Sequence, residues 1–429
     1  MREFELIDDI VRQNGALPAH VVVPPGDDMA VVRVPRATDG AIAVTVGLSA
    51  RRADAHRSWR RDGEDALAAV EHATMHLEEQ SGVASLANII FRPDTTLADA
   101  REWQRGFAAR GLVAQLPVVG GDVAQASGDF GALACVFGFS MVPPSARARA
   151  IAVDDAPDRE FLLACDAAIE GRHAPRGFDP ARIAHKAVLR NLSDVAAMGC
   201  ARPVAIAAGV FGSAALGARE TSRIERSLRE SGAAFGMPLV GFASHACEGD
   251  CPLCVCVAIV AVKLAPGGVP ALRSHARPGD GVFVTGSIGG AWDAATGLGR
   301  HLDFTPRLGT AHALSKELGA RLGAMIDVSD GLGRDLGHVA ELSQVAIDLD
   351  LARLPVAAGL DPRAALGHGE DYELAFTARG EVPSELAGVP VTRIGSVRAA
   401  TDGPAVLAHD GSRIFDARAL GFEHGADGG

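Results

Sequence analysis

The chain has 429 residues, of which 48% are hydrophobic, and its formal net charge is -12 at pH 7. This length exceeds one ordinary domain, so we expect two or three, each with ample core material. The acidic balance argues against a nucleic-acid partner or an anionic membrane surface. No uncharged run approaches the roughly 20 apolar residues that span a bilayer. An acidic amphipathic start at Met1–Asp9, unlike a signal peptide, and seven cysteines without framework spacing favour a reducing cytoplasm.

The first 145 residues alternate between strand and helix patterns. Paired carboxylates, Asp27 and Asp28, precede a short strand, and a longer strand follows at Ala41–Val46. Helical spacing recurs near residues 65–80 and 97–110, and apolar strand patterns occupy 87–91 and 133–142. A Gly120-Gly121-Asp122 turn precedes the last of these strands, and Pro143-Pro144 marks a boundary.

The same order of patterns begins again after this boundary, at an offset of about 120 residues, which predicts an internal duplication. The second series supplies a carboxylate pair, an acidic strand end, a helix ending in Ser193-Asp194 and a glycine turn. The matched positions are Asp154 and Asp155 with Asp27 and Asp28, Asp166 with Gly47, and Gly241-Phe242-Ala243 with Gly120-Gly121-Asp122.

Past Pro266 the pattern changes, and its main feature is a strand, turn and helix at residues 324–342. Asp327, Ser329 and Asp330 gather at the turn. Two carboxylates crowded there repel each other unless a cation or a donor compensates them. Oxygen ligands of this kind suit Mg²⁺, which is usually held by one or two carboxylates and nucleotide phosphates. The alternative is a strand end at which Ser329 or Asp330 caps the next helix.

Several of these stretches together resemble the thiamine-monophosphate kinase family, in the aminoimidazole-ribonucleotide synthetase (PurM-like) superfamily. The resemblance is continuous from Ile151 to Val397, and its motifs are specific as a set. They are Glu3–Ile7, Gly26–Asp28, Asp166, Glu170–His173, Asn191–Gly199, Arg277–Asp280, Ile326–Leu332 and Gly369–Leu374.

The resemblance implies an ATP- and Mg²⁺-dependent kinase of the α/β (α+β) class, with an A1 domain that pairs across a dimer and an A2 domain. Phosphoryl transfer asks a protein mainly for positioning and charge neutralisation, so acids that hold Mg²⁺ can do most of the work. By resemblance the metal ligands are Asp166, Asp194, Asp327 and Asp330, of which the last two are also catalytic. The implied cofactor contacts are Asp27, Asp28, Asp122, Asp154, Asp155, Asn191, Ser193, Ser329 and Gly331.

This chain departs from the family by carrying two A1-like regions. We expect a degenerate A1-like domain at 1–145, an A1-like ATP/Mg-binding domain at 146–265, an A2-like domain at 266–420 and a tail at 421–429. The two A1-like domains would form an intrachain pseudo-dimer β-barrel flanked by helices, as a monomer or a further homodimer.

The two copies have diverged in a complementary way. The first has lost the acidic strand end (Gly47), and its counterpart of Asp194 falls near His76 or Leu77. The second has lost the aspartate of the glycine turn (Ala243). We therefore predict one composite site per chain. The alternative is that the first copy only replaces a dimerisation partner, which would make Asp27, Asp28 and Asp122 solvated turn residues.

Glu370, Asp371 and Tyr372 follow a glycine-rich turn, where the resemblance places contacts to the acceptor substrate. The alternative is an ordinary strand-edge turn. His368 stands where the family has glycine, so thiamine monophosphate and other heteroaromatic phosphates or alcohols are equally compatible acceptors.

Two other clusters carry candidate chemistry. Cys247, Cys251, Cys254 and Cys256 are closely spaced, but a structural zinc site usually has two distant cysteine pairs. Cys254 and Cys256 are more simply explained as small core residues of an apolar strand. The basic run at 51–61 is flanked by acids and predicts a solvated face, with phosphate binding as the alternative.

The predicted function is an ATP- and Mg²⁺-dependent phosphotransferase acting on a small heteroaromatic or phosphorylated metabolite. One alternative is the superfamily's ATP-driven activation of an amide or formyl oxygen. Another is a non-catalytic nucleotide-binding or scaffold protein. The absence of a Gly-x-x-x-x-Gly-Lys-Ser/Thr motif excludes a P-loop kinase, and covalent hydrolysis has no Gly-x-Ser-x-Gly motif to support it.

Overall fold

The computed structural model of the chain describes residues 17–23, 27–34, 41–74, 81–142, 150–152, 156–411 and 413–422. The chain divides into two compact units, and the division falls inside one helix. The first unit contains Met1–Asn191 and Pro203–Gly267, and the second contains Leu192–Arg202 and Gly268–Glu423. The predicted mixed α/β class is confirmed.

The first half of the first unit begins with two short strands, β1 and β2, and continues as a strand-helix-strand-helix-strand-strand series. Its elements are β1 (Val21–Val23), β2 (Ala30–Arg33), β3 (Ala41–Arg52), α1 (Trp59–Thr74), β4 (Ser81–Phe91), α2 (Leu97–Val113), β5 (Val118–Gln125) and β6 (Phe130–Val142).

The second half repeats this series. Its elements are β7 (Ala150–Ala152), β8 (Glu160–Ile169), α3 (Pro180–Ala197), β9 (Ala201–Ser213), α4 (Gly217–Ala234), β10 (Leu239–Cys247) and β11 (Cys254–Lys263).

The strand order is the same in the two sheets that these halves build. One sheet runs β5-β4-β6-β3-β7 and the other runs β10-β9-β11-β8-β2, with β1 added at its end. The edge strands β7 and β2 are exchanged, because β2 of the first half pairs with β8 and β7 of the second half pairs with β3. Each half therefore completes the sheet of the other.

One hydrophobic core joins both sheets. It contains Leu86, Phe137 and Phe139 from one sheet and Phe161 and Phe211 from the other. All 13 residues of β6 are buried, as expected for an apolar strand covered on both faces. On the outer face, Gly63 of α1 lies against the carbonyl of Trp103, and Gly106 of α2 lies against that of Arg60. These contacts leave no room for a Cβ atom, so the glycines let the two helices approach closely.

The second unit is built on one eight-stranded sheet, which runs β13-β15-β12-β17-β14-β18-β19 with β16 paired to β17. Its elements are β12 (Gly281–Thr285), α5 (Leu308–Leu318), β13 (Leu322–Asp327), α6 (Leu332–Ser343), β14 (Val345–Asp350), α7 (Pro362–Ala365), β15 (Leu374–Ala378), β16 (Glu385–Leu386), β17 (Val389–Ala399), β18 (Ala405–Asp410) and β19 (Arg413–Asp416).

Apolar side chains of α6 at helical spacing, Leu332, Leu336 and Val339, pack on one face of this sheet, as their periodicity predicted. Phe283 and Phe376 stack on its other side, in a core that includes Ala196 and Ala197 from the end of α3. Among the described residues, none of the helices combines the length and apolar composition that a membrane-spanning helix needs.

Candidate active site: two acidic sets

The backbone of the turn after β13 is fixed by a carboxylate that was not among the predicted site residues. Asp335, in the first turn of α6, accepts the backbone N–H groups of Ser329 (3.1 Å), Asp330 (3.2 Å) and Gly331 (3.1 Å). Gly331 is the N-terminal cap residue of α6, with φ 115°, and no side chain caps the helix there. The alternative in which Ser329 or Asp330 caps α6 is therefore wrong. Because Asp335 performs the local task, the side chains of Ser329 and Asp330 are not needed for it.

The strand end itself presents a buried carboxylate beside a second one from α3. Asp327 is 4% exposed, and its Oδ2 accepts the Ser193 hydroxyl at 2.6 Å. Carboxylate oxygens of Asp194 and Asp327 lie within 4.8 Å of each other. Two such charges at this spacing repel each other strongly outside bulk water. Their oxygens and the Ser193 hydroxyl form a donor set that suits a hard divalent cation.

A second group of possible ligands follows the same turn. Ligand atoms of Asp330, Asp335 and His338 lie within 4.8 Å of one another. Burial, together with the charges of Asp330 and Asp327, raises the pKa of Asp335 well above its usual range. Burial and the neighbouring Arg273 and Arg334 lower the pKa of His338 to about 3. His338 is therefore a neutral imidazole at ordinary pH, which is the form that ligates metals.

In the first unit, the structure brings together acids from the two halves. Asp122 lies in β5 of the first half, and its carboxylate accepts the backbone N–H of Ala167 in β8 of the second. Burial, followed by the negative charge of Asp166, raises the pKa of Asp122 to about 7, although Arg190 opposes this shift. Asp122 is partly buried and lies near the charge of Asp166, surroundings that differ from those of a freely solvated turn residue.

Asp166 is paired with an arginine side chain that was not among the predicted site residues. Arg190 of α3 donates from Nε to Asp166 Oδ2 at 3.0 Å, and its side chain is 11% exposed. Asn191, the next residue, donates from Nδ2 to the Ala187 carbonyl (2.9 Å) and the Asp166 carbonyl (3.4 Å). The set formed by Asp122, Asp166 and Arg190 thus contains two carboxylates and one guanidinium.

The remaining predicted nucleotide contacts are only partly described. Asp27 and Asp28 directly precede β2, and Asp28 is 8% exposed, which is unusual for an ordinary solvated turn. Asp154 and Asp155 lie outside the described residues, as do Glu3–Ile7, Gly26, His76 and Leu77.

The predicted acceptor residues occupy a strained turn in the second unit. Glu370 and Tyr372 have φ angles of 64° and 52°, a region that side chains other than glycine rarely adopt. Tyr372 stacks on Phe304 with ring centroids 3.9 Å apart, and its hydroxyl donates to Glu370 at 3.2 Å. His301 approaches Glu370 at 2.5 Å through Nδ1 and the Gly297 carbonyl at 3.1 Å through Nε2.

Asp371 holds this turn in place. It is 4% exposed and accepts the Gly289 N–H at 2.7 Å and the Arg300 guanidinium at 2.6 Å. Burial raises its pKa to about 7, although both of these contacts oppose the shift. The turn is therefore built from a buried network, unlike an ordinary strand edge. Because Arg300, His301 and Phe304 come from a distant loop, no local sequence pattern pointed to them.

His368 takes part in the same loop packing. Its Nδ1 accepts the Gly290 N–H at 3.2 Å, and its ring lies 6.5 Å from that of Trp292, which is 41% exposed. The residue that differs from the family's glycine thus joins an aromatic pair beside Glu370.

The cysteine cluster and the basic run at 51–61 both lie in the first unit. Cys254 and Cys256 are fully buried in the core of the first unit, which confirms the prediction that they are core residues. The basic run is paired with acids: Arg51 with Asp62, Arg57 with Asp65 and Arg61 with Glu64. The Arg57 and Arg61 side chains are 56% and 64% exposed, as expected of a solvated ionic face, whereas Arg51 and Asp62 are each 9% exposed and form a buried pair.

Comparison with known proteins identifies the family. The model of the AIR synthase related protein, N-terminal domain, matches residues 147–262. The thiamine-monophosphate kinase of Escherichia coli K12 is 34% identical over 287 residues, which cover 58% of this chain and 82% of that protein. The thiamine-monophosphate kinase of Salmonella typhimurium LT2 is 33% identical over 311 residues, covering 62% and 88%. The chain belongs to the thiamine-monophosphate kinase family.

The prediction of an ATP-dependent kinase of this family is therefore confirmed. Among solved structures, the hydrogenase maturation protein HypE in complex with ATP aligns with a TM-score of 0.50 at 20% identity, over 60% of this chain and 84% of that chain. This likeness shows a shared fold alone. The region that matches the AIR synthase domain model, residues 147–262, corresponds to the second copy, which carries Asp166.

Proposed function

We propose that this chain transfers the γ-phosphoryl group of ATP to a small heteroaromatic or phosphorylated metabolite, with Mg²⁺ held by its clustered acids. The observation that carries the proposal is the pair Asp194 and Asp327, whose carboxylate oxygens lie within 4.8 Å of each other. A fold that stabilises such a pair without a function pays an electrostatic penalty that a hydrophobic pair would avoid.

The donor chemistry fits Mg²⁺. Asp194, Asp327 and the Ser193 hydroxyl offer oxygen atoms only, and Mg²⁺ prefers oxygen ligands completed by water and phosphate. A Mg²⁺ ion held there would neutralise charge on the phosphoryl group during transfer. Asp327 and Asp330 are the proposed catalytic residues. Asp335 positions them by fixing the backbone of Ser329, Asp330 and Gly331.

The acids of the first unit have a related role in the proposal. Asp122 and Asp166 supply carboxylates for Mg²⁺, and Arg190 supplies a guanidinium whose fork geometry suits a phosphate oxygen. Asp27, Asp28, Asn191, Ser329 and Gly331 remain predicted nucleotide contacts. That all these residues serve one composite site per chain stays a prediction.

The acceptor is proposed to bind at Glu370 and Tyr372. Their orientation is fixed by His301 and Phe304, so a ligand meets the preformed Glu370 carboxylate, which the Tyr372 hydroxyl, from a side chain only 3% exposed, holds in place. Asp371 maintains this turn from its buried position. Because the relatives are named thiamine-monophosphate kinases, thiamine monophosphate is the first acceptor to test.

We also propose that the two A1-like copies form the fused equivalent of a dimer's barrel. The exchanged strands β2 and β7 and the matching strand orders support this arrangement. Reciprocal contacts add to it: Asp129 N–H donates to the Asp250 carbonyl (2.6 Å), and Asp250 N–H donates to Asp129 Oδ2 (2.7 Å). The domains remain proposed as 1–145, 146–265 and 266–420, followed by a tail.

The test is product analysis. Wild-type protein with ATP, Mg²⁺ and thiamine monophosphate should release ADP and a phosphorylated acceptor, detected by mass spectrometry. Asp327→Asn should lower kcat/KM by about 100-fold or more, since removal of one charge-stabilising group typically costs that much. Asp348→Asn, an acid of β14 that pairs with Arg398, is the matched control and should be unaffected.

Two results would contradict the proposal. A dehydrated product in place of a phosphorylated one would indicate amide or formyl activation. Binding of ATP without turnover across a panel of heteroaromatic phosphates and alcohols would indicate a non-catalytic protein.

A further inference from the structure

Two cysteines meet at a turn that the kinase proposal does not use. Cys247 ends β10, and Cys251 follows a three-residue turn in which Gly249 has φ 74°. The two side chains interact with each other, and the Cys251 thiol also donates to the Pro252 carbonyl at 3.5 Å. Both cysteines are free, and each is 5% exposed. Thiols in direct contact across a short turn need little movement to form a disulfide.

Cys247 is reachable although it is largely buried. It lines a cavity of about 450 Å³ in the first unit, together with Arg52, Phe130 and His245. Cys251 is not among the residues that line the cavity, so a small molecule entering there meets Cys247 first.

The two thiols also differ in chemistry. The interaction with the Cys251 side chain lowers the pKa of Cys247, although burial opposes this shift. The same contact and burial raise the pKa of Cys251. Because the thiolate is the nucleophile in thiol–disulfide exchange, Cys247 is the attacking residue and Cys251 the resolving one.

We propose that Cys247 and Cys251 form a redox-active dithiol that small-molecule disulfides convert into an intramolecular disulfide. The Cys247 thiolate attacks one sulfur of the disulfide, forming a mixed disulfide and releasing one thiolate. Cys251 then loses its proton and attacks Cys247 Sγ, which releases the second thiol. The two protein thiols are oxidised, and the small-molecule disulfide is reduced to two thiols.

The location gives the bridge a structural consequence. The segment between β10 and β11 contacts both copies. The Asp250 carbonyl accepts the Asp129 N–H, the Asp250 N–H donates to the Asp129 carboxylate, and the Leu253 N–H donates to Glu170 at 3.0 Å. A bridge from Cys247 to Cys251 would fix this segment at the junction of the two copies.

The experiment titrates the full-length protein with glutathione buffers of increasing oxidised fraction, then alkylates the remaining thiols and counts them by mass spectrometry. The reduced chain has seven alkylatable cysteines. The expected product of oxidation has two fewer, with a disulfide mapped to Cys247 and Cys251 by peptide analysis. If all seven thiols remain alkylatable in denaturant at every buffer ratio, the proposal is wrong.

Three variants separate this route from unspecific oxidation. Cys251→Ser should accumulate one glutathione adduct on Cys247, because the resolving thiol is absent. Cys247→Ser should take up no adduct, and Cys200→Ser, a buried cysteine of the second unit, should still form the bridge. Circular dichroism verifies that each variant is folded. An adduct on Cys251 in Cys247→Ser, or a bridge formed in either of the first two variants, would overturn the assignment.

Discussion

The two copies of the first unit differ most clearly where a strand meets its covering helix. In the second copy, Asp166 of β8 is paired with Arg190 of α3. In the first copy the matching strand position is Gly47, and a Cβ atom there would lie only 2.8 Å from Val70 of α1. An ionic contact in one copy is thus replaced by close apolar packing in the other. The same place in the fold thus holds two charged groups in one copy and only apolar groups in the other.

The first prediction concerns Mg²⁺-ATP binding and has the largest expected effect. Asp166→Ala and Asp122→Ala should each weaken binding about 10-fold or more, since each removes a carboxylate from the same set. Calorimetric titration measures this. Asp129→Ala removes an acid at the junction of the copies and is the control. Unchanged affinity in Asp122→Ala would show that the first copy contributes nothing to the site.

The second prediction concerns stability. Gly47→Ala should destabilise the protein by about 1–3 kcal/mol, because its Cβ overpacks against Val70. It should leave Mg²⁺-ATP affinity unchanged. Urea unfolding measures the first quantity and calorimetry the second. A loss of affinity without a loss of stability would mean that Gly47 belongs to a binding site.

The third prediction concerns pH. Since the pKa of Asp122 is raised from 3.8 to about 7, the folded protein binds this proton more tightly than the unfolded chain does. The resulting stabilisation is complete at low pH and is lost as pH rises through about 7. In EDTA, the Tm of wild type relative to Asp122→Asn should therefore fall between pH 5 and pH 8. A difference that rises over this range would contradict the buried pairing with Asp166.

The fourth prediction has the smallest expected effect. Ala243→Asp restores the aspartate that the second copy lacks, on a partly exposed strand position. It should change stability by no more than about 0.5 kcal/mol. It should not create a second nucleotide site, because Gly47 and Val70 offer no partner charge. A second site in calorimetry would show that one aspartate alone separates the copies.

Much of the architecture followed from local patterns. The helix expected near 97–110 is Leu97–Val113, the strand expected at 133–142 lies within Phe130–Val142, and the duplicated order of elements matches the two sheets. Apolar periodicity and turn residues are local properties, so they were sufficient here. The exchange of β2 and β7 was not expected, because strand pairing between distant segments leaves no trace in either segment alone.

The acidic residues of the candidate site could be predicted from the sequence, but the residues that contact them could not. Asp327 was expected from the strand, turn and helix pattern, and Asp122 and Asp166 were expected from the resemblance to the family. Arg190 was missed because a basic residue on a helix has many explanations until the strand beneath it is known. Asp335 was missed for a different reason. It lies in the sequence beside the predicted site, but its function depends on a side chain that folds back onto three backbone N–H groups.

The central claim is that acids from both copies contribute to a single nucleotide site. Calorimetric titration of Mg²⁺-ATP into the full-length protein tests this most directly, because it counts sites per chain. We predict one site, weakened in both Asp122→Ala and Asp166→Ala. Two sites per chain, or one site that is insensitive to Asp122→Ala, would contradict the account.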